Sequence, residues 1–372
     1  MNMNNLLTFG KYFTLIFFAF FVAVACEGEQ KKDFAIVKGI QDIDTLENEF
    51  AKAFQIIQHR AFIEINIIDP DTDVVLNSYK VSKTEESEAD FFPKNMDRVV
   101  ALSATQVGML RKLSLGDKIA GVSKYDYLCN PVSKAVVTEV GDIGMSDAEA
   151  FVAVNPDIIL YSGFNDDAPI LNKLAQANLK TFKIFEWKET HPMGRAEWIL
   201  VYGALFQKEK EAKAIFEEIK AKYYAITDKL KLADKGPSVF AGTYFGDAFN
   251  VPAGESFMAQ FFKDANINYV YSRTKGTASL TLSLEDVITN NQETEFWLNA
   301  GASSKEELLK QSQKFGMLKA VKTGKLFSYF NNTNCFWENS PIEPHKVLED
   351  LGKIFHPDLF EDKELTFYEL LP

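Results

Sequence analysis

Residues 98–123 read RVVALSATQVGMLRKLSLGDKIAGVS, and this stretch decides the fold of the main body of the chain. RVVALS is typical of a short buried strand, TQVGMLRKL has helical spacing that ends near Gly116, and KIAGVS is typical of a second strand. The alternation continues through SDAEAFVAVNPDIILYSG, LNKLAQANLK and TFKIFEW, which indicate two more helices, each followed by a strand. This pattern predicts a parallel sheet with helices on both faces.

A long helical segment follows this alternation. Between Gly194 and Leu232 there is no Pro and a single Gly, Gly203, so the pattern predicts helix throughout. The part over residues 207–235 predicts one rigid backbone helix that joins two lobes. An amphipathic surface helix on one large domain is the alternative.

The alternation of strands and helices restarts after Gly236-Pro237. PSVFAGTYFG indicates a strand and SFMAQFFKDANI a helix, and further pairs run to the closing helix PHKVLEDLGKIF. We therefore predict an α/β protein with two Rossmann-like lobes built on parallel sheets. The N-terminal lobe covers residues 95–206, the backbone helix 207–235 and the C-terminal lobe 236–372.

The first residues have the pattern of an export signal. Residues 1–25 contain one charge, Lys11, followed by an apolar run, and they end in Ala-Val-Ala before Cys26. This ending is similar to a bacterial lipobox, whose Cys is acylated after cleavage; a stop-transfer anchor or an ordinary cleavage site is the alternative. We therefore expect a lipoprotein signal peptide and a lipid-anchored protein of the periplasm or cell envelope.

Residues 26–94 are predicted to form a polar tether and an add-on before the main body. FIEINIIDP and VVLNSYKV alternate apolar and polar residues around Asp69-Pro70-Asp71. This pattern predicts two strands and a turn, that is, an N-terminal β-hairpin.

The composition excludes several classes of protein. The chain has 372 residues, with 40 Lys and Arg against 52 Asp and Glu, which gives a net charge of −12. Such a balance argues against a nucleic-acid partner, because phosphate binding needs clustered basic residues. Three Cys are too few for a disulfide scaffold. After export, Cys129 and Cys335 are the only possible disulfide pair, and two buried free thiols are the alternative.

Two helices, one in each half of the chain, begin with the same kind of residues. Ser146 with Glu149 and Ser283 with Asp286 both fit a capping box. Acidic residues also suit the electrostatics of a helix N-terminus. Capping therefore accounts fully for Glu149 and leaves Glu285 as an additional acidic residue.

The order of these elements resembles the substrate-binding proteins of ABC importers for iron–siderophore and cobalamin complexes, over about residues 95–360. The most specific part, EAFVAVNPDIIL at residues 149–160, resembles the family's Glu-x-Ile-x-x-Leu-x-Pro-Asp-Leu-Ile signature. GTYFGDAFNVPAGESFMAQFFKDANINYVYS resembles the family's segment around a Gly-x-Ser turn and an Asp-Ala-Gly helix end, with Asn266 in place of that Gly. Asn tolerates the positive φ that such a helix end requires. NCFWENSPIEPHKVLEDLGKIFHPDLF resembles the closing helix of bacterial lipoprotein members.

The resemblance implies a binding protein that delivers a bulky chelate to a permease, rather than an enzyme. In the family, a Glu at the tip of each lobe docks onto Arg residues of the two permease subunits. By position these are Glu149 and Glu285 here, and Asp286 is the rival in the second lobe. Arg suits this role because it forms bidentate pairs with carboxylates.

The ligand is expected in a cleft between the lobes, because ligands of α/β sheets bind beyond the carboxyl ends of the strands. Aromatic walls there suit a large, partly apolar chelate such as a ferric siderophore, haem or cobalamin, and Arg273 is placed to pair with an anionic group. Residues 186–192 are also expected to line the cleft, whereas Arg195 and Glu197 are expected to form a local structural pair. The candidate ligand residues are Tyr125, Tyr127, Phe164, Trp187, Tyr244, Phe245, Arg273, Phe336 and Trp337.

A metal bound directly by the protein is not expected, and neither is a cofactor other than a metal carried inside the ligand. The four His are spread along the chain at His59, His191, His345 and His356, with no His-x-His or CxxC motif.

Two other functions stay open. One is an exported hydrolase that uses two carboxylates, although GxSxG, HExxH and P-loop motifs are absent from the sequence. Two carboxylates within about 10 Å inside the cleft would favour it. The other is a surface lipoprotein that captures a ligand without a permease.

Overall fold

The first alternating stretch forms a five-stranded sheet in the computed structural model, which describes residues 44–86, 88–144 and 147–372. The elements of this N-terminal lobe are β5 Val99–Ala101, α1 Ala104–Lys112, β6 Ile119–Val122, β7 Thr138–Glu139, α2 Ala148–Val154, β8 Ile158–Ser162, α3 Pro169–Gln176 and β9 Thr181–Ile184. The strands lie in the order β7-β6-β5-β8-β9, and all neighbours pair in parallel, as predicted.

Both faces of this sheet are buried, which explains why its strands are continuous apolar runs. Val99 and Ala101 belong to the core that contains residues of α1, whereas Val100 belongs to a second core with residues of α2 and α3. Successive side chains of a strand point to opposite faces, so one short strand contributes to both cores.

Some predictions fall on parts of the chain that are not described. The signal peptide at residues 1–25, the lipidation site at Cys26 and the predicted cap Ser146 lie outside the described residues. The N-cap position of α2 is Asp147 instead of Ser146, and no side-chain hydrogen bond among the described residues caps the helix there. Within the described ranges, no helix is both long and apolar enough to cross a membrane.

The segment predicted to be helical throughout consists of three helices. They are α4 Pro192–Glu197, α5 Ile199–Phe206 and α6 Glu209–Lys231. The break before α6 lies at Gln207, which has a left-handed φ of 56°. α6 contains 23 residues and is therefore about 34 Å long. Gly203 lets α5 approach α6, because a Cβ there would lie 2.6 Å from the Cβ of Ala212.

The second alternation forms the C-terminal lobe. Its first elements are β10 Ser238–Ala241, β11 Thr243–Phe245, β12 Ala248–Pro252, α7 Phe257–Asp264, β13 Asn268–Tyr269, β14 Ser279–Ser283 and α8 Leu284–Asn291. The remaining elements are β15 Phe296–Leu298, α9 Lys305–Gln311, α10 Lys319–Thr323, β16 Leu326–Ser328, α11 Thr333–Asn339, α12 Pro344–Phe355 and β17 Glu369–Leu370. The main sheet has the strand order β13-β10-β15-β16-β17.

This lobe differs from the prediction in two respects. The strand predicted for PSVFAGTYFG is two strands, because Gly242, at a φ of 146°, ends β10 and starts β11. β11, β12 and β14 form a separate antiparallel sheet. The main sheet is parallel except for its edge strand β17, which pairs with β16 in antiparallel fashion. Asn266 has a φ of 53°, as predicted for the end of α7.

The N-terminal add-on is larger than the predicted hairpin. It is a four-stranded antiparallel sheet in the order β1-β2-β3-β4. Its strands are β1 Asp44–Leu46, β2 Phe54–Gln58, β3 Phe62–Ile68 and β4 Val75–Ser82.

Two buried carboxylates bind the chain between β1 and β2. Glu197 accepts hydrogen bonds from the backbone N–H groups of residues 49–51, at 2.7–2.8 Å. Glu189 accepts from those of residues 52 and 53, and from the indole of Trp198 at 3.0 Å. Burial raises the pKa of both carboxyls, and the N–H donors lower it. The predicted local pair of Arg195 with Glu197 is therefore wrong, because Glu197 binds backbone instead.

Candidate ligand site

A cavity of about 620 Å³ lies where strand ends of the N-terminal lobe meet α4, α7 and α11. The chain runs from β5 outward to β7 and returns to β8 on the other side of β5. The space between the ends of β5 and β8 is therefore the topological switch point, where ligands of such sheets bind. The lining residues are Leu102, Ser103, Ala104, Thr105, Tyr127, Ser162, Phe164, Glu186, Trp187, Arg195, Phe257, Thr333, Asn334 and Trp337.

The first turn of α1 forms one end of the cavity. Ser103 caps this helix, and its hydroxyl accepts a hydrogen bond from the N–H of Thr105 at 3.2 Å. The Gln106 side chain accepts from the N–H of Leu102 at 2.8 Å, which fixes the turn that leads from β5 into α1. The N-terminus of a helix carries partial positive charge, so this end of the cavity favours an anionic group.

Two stacked aromatic rings form a second wall. The rings of Phe164 and Trp187 lie 3.7 Å apart at an angle of 14°. Gly163, next to Phe164, packs closely on Phe185, because a Cβ there would lie 2.5 Å from the Phe185 ring. Phe164 is 64% exposed, and within the described chain the buried indole N–H of Trp187 has no hydrogen-bond acceptor. The wall thus offers an apolar surface, and a buried donor without an acceptor among the described residues lies within it.

Tyr127 and Trp337 contribute aromatic surface from the two lobes. Lys124 lies 5.2 Å from the Tyr127 ring and donates to its hydroxyl at 3.2 Å. Trp337 belongs to α11 and packs edge-on against Phe336 and Tyr329. Both side chains are partly exposed, so they present rings to a ligand.

A buried ion pair lies in the cavity wall near α4. Arg195 is 4% exposed, and its Nη2 lies 3.3 Å from Oε1 of Glu186. Its guanidinium carbon lies 4.5 Å from the ring centre of Phe257. Burial lowers the pKa of Arg195 and Glu186 raises it; an Arg side chain stays protonated in proteins. Nε of Arg195 has no acceptor among the described residues, so one donor remains free.

The other predicted ligand residues are not among those that line this cavity. Tyr125 donates from its hydroxyl to the carbonyl of Val137 at 2.7 Å. Tyr244 packs against Phe249 and Phe315. Four predicted residues, Tyr127, Phe164, Trp187 and Trp337, line the cavity, and five do not: Tyr125, Tyr244, Phe245, Arg273 and Phe336.

The two predicted docking residues occupy equivalent positions. Glu149 and Glu285 are each the second residue of their helix, α2 and α8, and both are exposed. Ser283 caps α8 by accepting from the N–H of Asp286 at 3.0 Å, as predicted for that capping box. Glu285 differs from Glu149 in its ion pair with Lys314 at 2.6 Å, which lowers the pKa of the Glu285 carboxyl.

The lobes are joined beside the cavity by a disulfide bond between Cys129 and Cys335, whose Cα atoms lie 4.4 Å apart. The sequence left open a disulfide or two buried free thiols, and the structure contains the disulfide. A second bond runs in parallel, because Asn334 donates to the carbonyl of Asp126 at 2.7 Å. Both bonds connect the segment after β6 with α11.

Close packing of α1 against α11 supports this joint. A Cβ on Gly108 would lie 1.8 Å from the carbonyl oxygen of Glu338, so only glycine permits the contact. The buried carboxylate of Glu338 accepts from Nη1 of Arg111 and, at 2.9 Å, from the N–H of Cys129. Every part of this joint links one lobe to the other.

Side chains in the ranges that the structure describes do not form a site that could bind a metal ion directly. These ranges contain no group of three or more His, Cys, Asp or Glu residues that could hold a metal ion.

Two lobes, helices that join them and a cavity at their junction define the class of two-lobed solute-binding proteins. The chain matches the periplasmic binding protein family over residues 99–333 and belongs to that family. The matched region excludes the N-terminal four-stranded sheet, and it includes all the residues that line the cavity except Trp337 and Asn334.

Similar proteins come from several organisms. An uncharacterized lipoprotein of Methanocaldococcus jannaschii is 22% identical over 73% of this chain and 68% of its own length. A periplasmic heme-binding protein of Pseudomonas aeruginosa has a TM-score of 0.60 and 16% identity, over 74% of this chain and 97% of its own. A petrobactin-binding protein of Bacillus subtilis has a TM-score of 0.59 and 15% identity, over 80% and 99%. At this identity the two structures show the shared fold.

Proposed function

We propose that this chain binds a bulky, partly apolar chelate in the cavity and delivers it to the permease of an ABC importer. The observation that carries the proposal is the combination of aromatic walls with a buried guanidinium. Phe164, Trp187, Tyr127 and Trp337 supply apolar area, and Arg195, which is paired with Glu186, supplies a guanidinium group. A cavity of about 620 Å³ lies within the usual range for small-molecule sites.

The polar groups of the cavity favour a ligand with an anionic or acceptor edge. Arg195 keeps Nε free, the indole N–H of Trp187 is free, and the first turn of α1 adds its partial charge. All three are donors, and the one carboxylate among the described lining residues, Glu186, is paired with Arg195. A ferric siderophore or a tetrapyrrole has both the apolar body and the anionic groups that this arrangement suits. Relatives of the same fold are named as petrobactin-binding and heme-binding proteins.

Binding to defined ligands tests this proposal. The purified protein is analysed by native mass spectrometry and thermal unfolding with haemin, a ferric tris-catecholate siderophore and cyanocobalamin. We expect micromolar or tighter binding to at least one of them, with a rise in melting temperature. Absence of both a bound mass and a thermal shift for all three would contradict it.

Delivery requires a docking surface, and we propose Glu149 and Glu285 for this role. Both carboxylates lie exposed at helix starts, and neither lines the cavity. Glu149→Ala and Glu285→Ala should therefore leave ligand affinity nearly unchanged and reduce uptake in cells that carry the permease. The double variant should lose more than either single variant, because each residue meets its own permease subunit. Full uptake by the double variant would contradict the assignment.

The residues that line the cavity do not support the hydrolase alternative. Among the described residues that line it, Glu186 is the single carboxylate, and Arg195 neutralises it. A lipoprotein that captures its ligand without a permease differs from our proposal in one outcome: the docking variants would then bind and accumulate the ligand as the wild type does.

A further inference from the structure

The disulfide bond between Cys129 and Cys335 lies beside two aromatic residues of the cavity wall. Tyr127 precedes Cys129 by two positions, and Trp337 follows Cys335 by two positions. Asn334, the residue before Cys335, lines the cavity as well. The bond thus ties together the two segments through which the lobes present these rings.

Contacts next to the disulfide fix the position of the segment around Cys129 relative to α11. Glu338 bridges them, since its carboxylate accepts from the N–H of Cys129 at 2.9 Å and from Arg111 of α1. The contact at Gly108 leaves no space for even a methyl group. The hydrogen bonds of Glu338 and the close packing at Gly108 both depend strongly on distance. They therefore form only when the two segments are held at a fixed separation, and a covalent bond provides this.

The lobes are consequently connected at two places that both border the cavity. One connection is the chain itself, which passes through α4, whose Arg195 lies in the cavity wall. The other is the disulfide, which joins the segment after β6 to α11, whose Asn334 and Trp337 line the cavity. Two bodies joined at one place can rotate about it, whereas a second, covalent joint restricts that rotation.

We propose that the Cys129–Cys335 disulfide is a positioning element of the ligand site. It fixes the separation between Tyr127 and Trp337, so that the cavity is organised before the ligand arrives. Preorganised side chains bind more tightly, because less conformational entropy is lost on binding. This inference rests on the proposed function in that it takes the cavity as the ligand site.

Reduction of the folded protein tests the proposal. The full chain, solubilised in detergent, is treated with a phosphine reductant and titrated with haemin and with a ferric tris-catecholate. We expect affinity at least tenfold weaker than that of the oxidised protein, with an unchanged far-ultraviolet circular dichroism spectrum. The Cys129→Ser/Cys335→Ser variant should behave as the reduced protein does. Affinities within twofold of the oxidised protein would overturn the proposal.

A matched control separates this joint from other contacts between the lobes. Lys112 of α1 and Glu343 form an ion pair at 3.6 Å, and neither residue lines the cavity. Glu343→Gln should leave both affinities within twofold of the wild type. A loss in this variant equal to that of the reduced protein would show that any weakened contact between the lobes has the same effect, and would overturn the specific role of the disulfide.

Hydrogen–deuterium exchange supplies a readout that needs no ligand. Reduction should accelerate exchange at least tenfold in residues 125–129 and 333–339, and leave α2 and α8 unchanged. If the oxidised protein binds neither probe, the proposed ligand classes fail, and this experiment still decides the inference. Unchanged exchange in both segments would overturn it. If the double Ser variant does not fold, the chemically reduced wild type carries both measurements.

Discussion

The two lobes are wound in the same way, yet only one of them leaves its switch point open to a ligand. In the N-terminal lobe the chain crosses from one side of β5 to the other, and the residues after β5 and β8 line the cavity. In the C-terminal lobe it crosses from one side of β10 to the other, to reach β15. None of the residues directly after β10 or β15 lines the cavity.

The reason is that the second switch point is filled by the chain itself. The Trp297 indole donates to the carbonyl of Gly242 at 2.9 Å, and the Thr243 hydroxyl donates to that of Asn299 at 2.9 Å. β11 then leads away into the separate antiparallel sheet, and Phe245 at its end is 80% exposed. The C-terminal lobe therefore contributes to the cavity through α7 and α11 instead of through these strand ends. Topology indicates where a ligand can bind, and local packing decides whether that position is free.

The joint between these unequal lobes should give the largest effect on stability. The disulfide connects residues 206 positions apart, so its loss frees a long loop in the unfolded state. Cys129→Ser/Cys335→Ser should lower the free energy of unfolding by about 2–5 kcal/mol, measured by denaturant titration. Lys310→Gln, which removes an exposed pair with Glu306, should stay within about 0.5 kcal/mol of the wild type. A loss below about 1 kcal/mol for the double variant would contradict this.

A buried histidine of α12, close to α1 of the other lobe, should make stability depend on pH. Burial lowers the pKa of His345 to about 4; Glu343 raises it, and Lys222, Lys346 and Lys112 lower it. The folded protein therefore favours neutral His345, and this stabilisation is complete above about pH 6.5 and lost as the pH falls towards 4. The loss should amount to about 2–3 kcal/mol, at about 1.4 kcal/mol per pKa unit.

Substitution of His345 checks this pH dependence. In His345→Leu the free energy of unfolding between pH 7 and pH 4 should fall less steeply than in the wild type, by the amount given above. Equal slopes in urea titrations of the two proteins would show that His345 does not contribute.

Two arginines, one in each lobe, should differ in their effect on ligand binding. Arg195 lies in the cavity wall, whereas Arg273 is exposed and outside it. Arg195→Met combined with Glu186→Gln removes the buried pair without leaving one charge alone, and should weaken binding of an anionic chelate about 10–100-fold, or about 1.4–2.8 kcal/mol. Arg273→Met should leave the affinity unchanged. Isothermal titration measures both, and the reverse ranking would move the anion site to the C-terminal lobe.

The smallest expected effect concerns the two helix starts. Lys314 neutralises Glu285, while no described side chain pairs with Glu149. The docking that we propose would therefore have to release Lys314 on one lobe only. Lys314→Met should tighten the complex with the permease severalfold, because it frees the carboxylate and removes a like charge from the approaching Arg. Co-sedimentation with permease vesicles checks this. Weaker docking would indicate that Lys314 itself contacts the permease.

The repeated strand–helix pattern was enough to predict much of the fold. Continuous apolar runs such as IIL in β8 occur where both faces of a strand are buried, so they indicate a parallel sheet whatever the long-range contacts are. The same holds for local signals: Ser283 caps α8 and Asn266 takes a positive φ because both depend on neighbours in sequence. The rule that ligands lie after strands also selected Tyr127, Phe164 and Trp187, which line the cavity.

The same rule also applies to the residues that follow β5. Ser103 and Thr105 come two and four residues after the end of β5, so the strand position alone would have pointed to them. Arg195 had no such signal, since its partner Glu186 lies across a turn and its place in the wall depends on how α4 meets β9.

By itself, the sequence determined which segments form strands and helices, how they alternate, and which residues end or cap them, because these properties depend on neighbours within a few residues. Only the tertiary structure decided that Cys129 bonds to Cys335, that Glu197 binds the backbone of residues 49–51, and that the second switch point is filled. Each of these depends on groups that are far apart in the chain, and their distances are set by how whole elements pack. A one-dimensional pattern does not contain that packing.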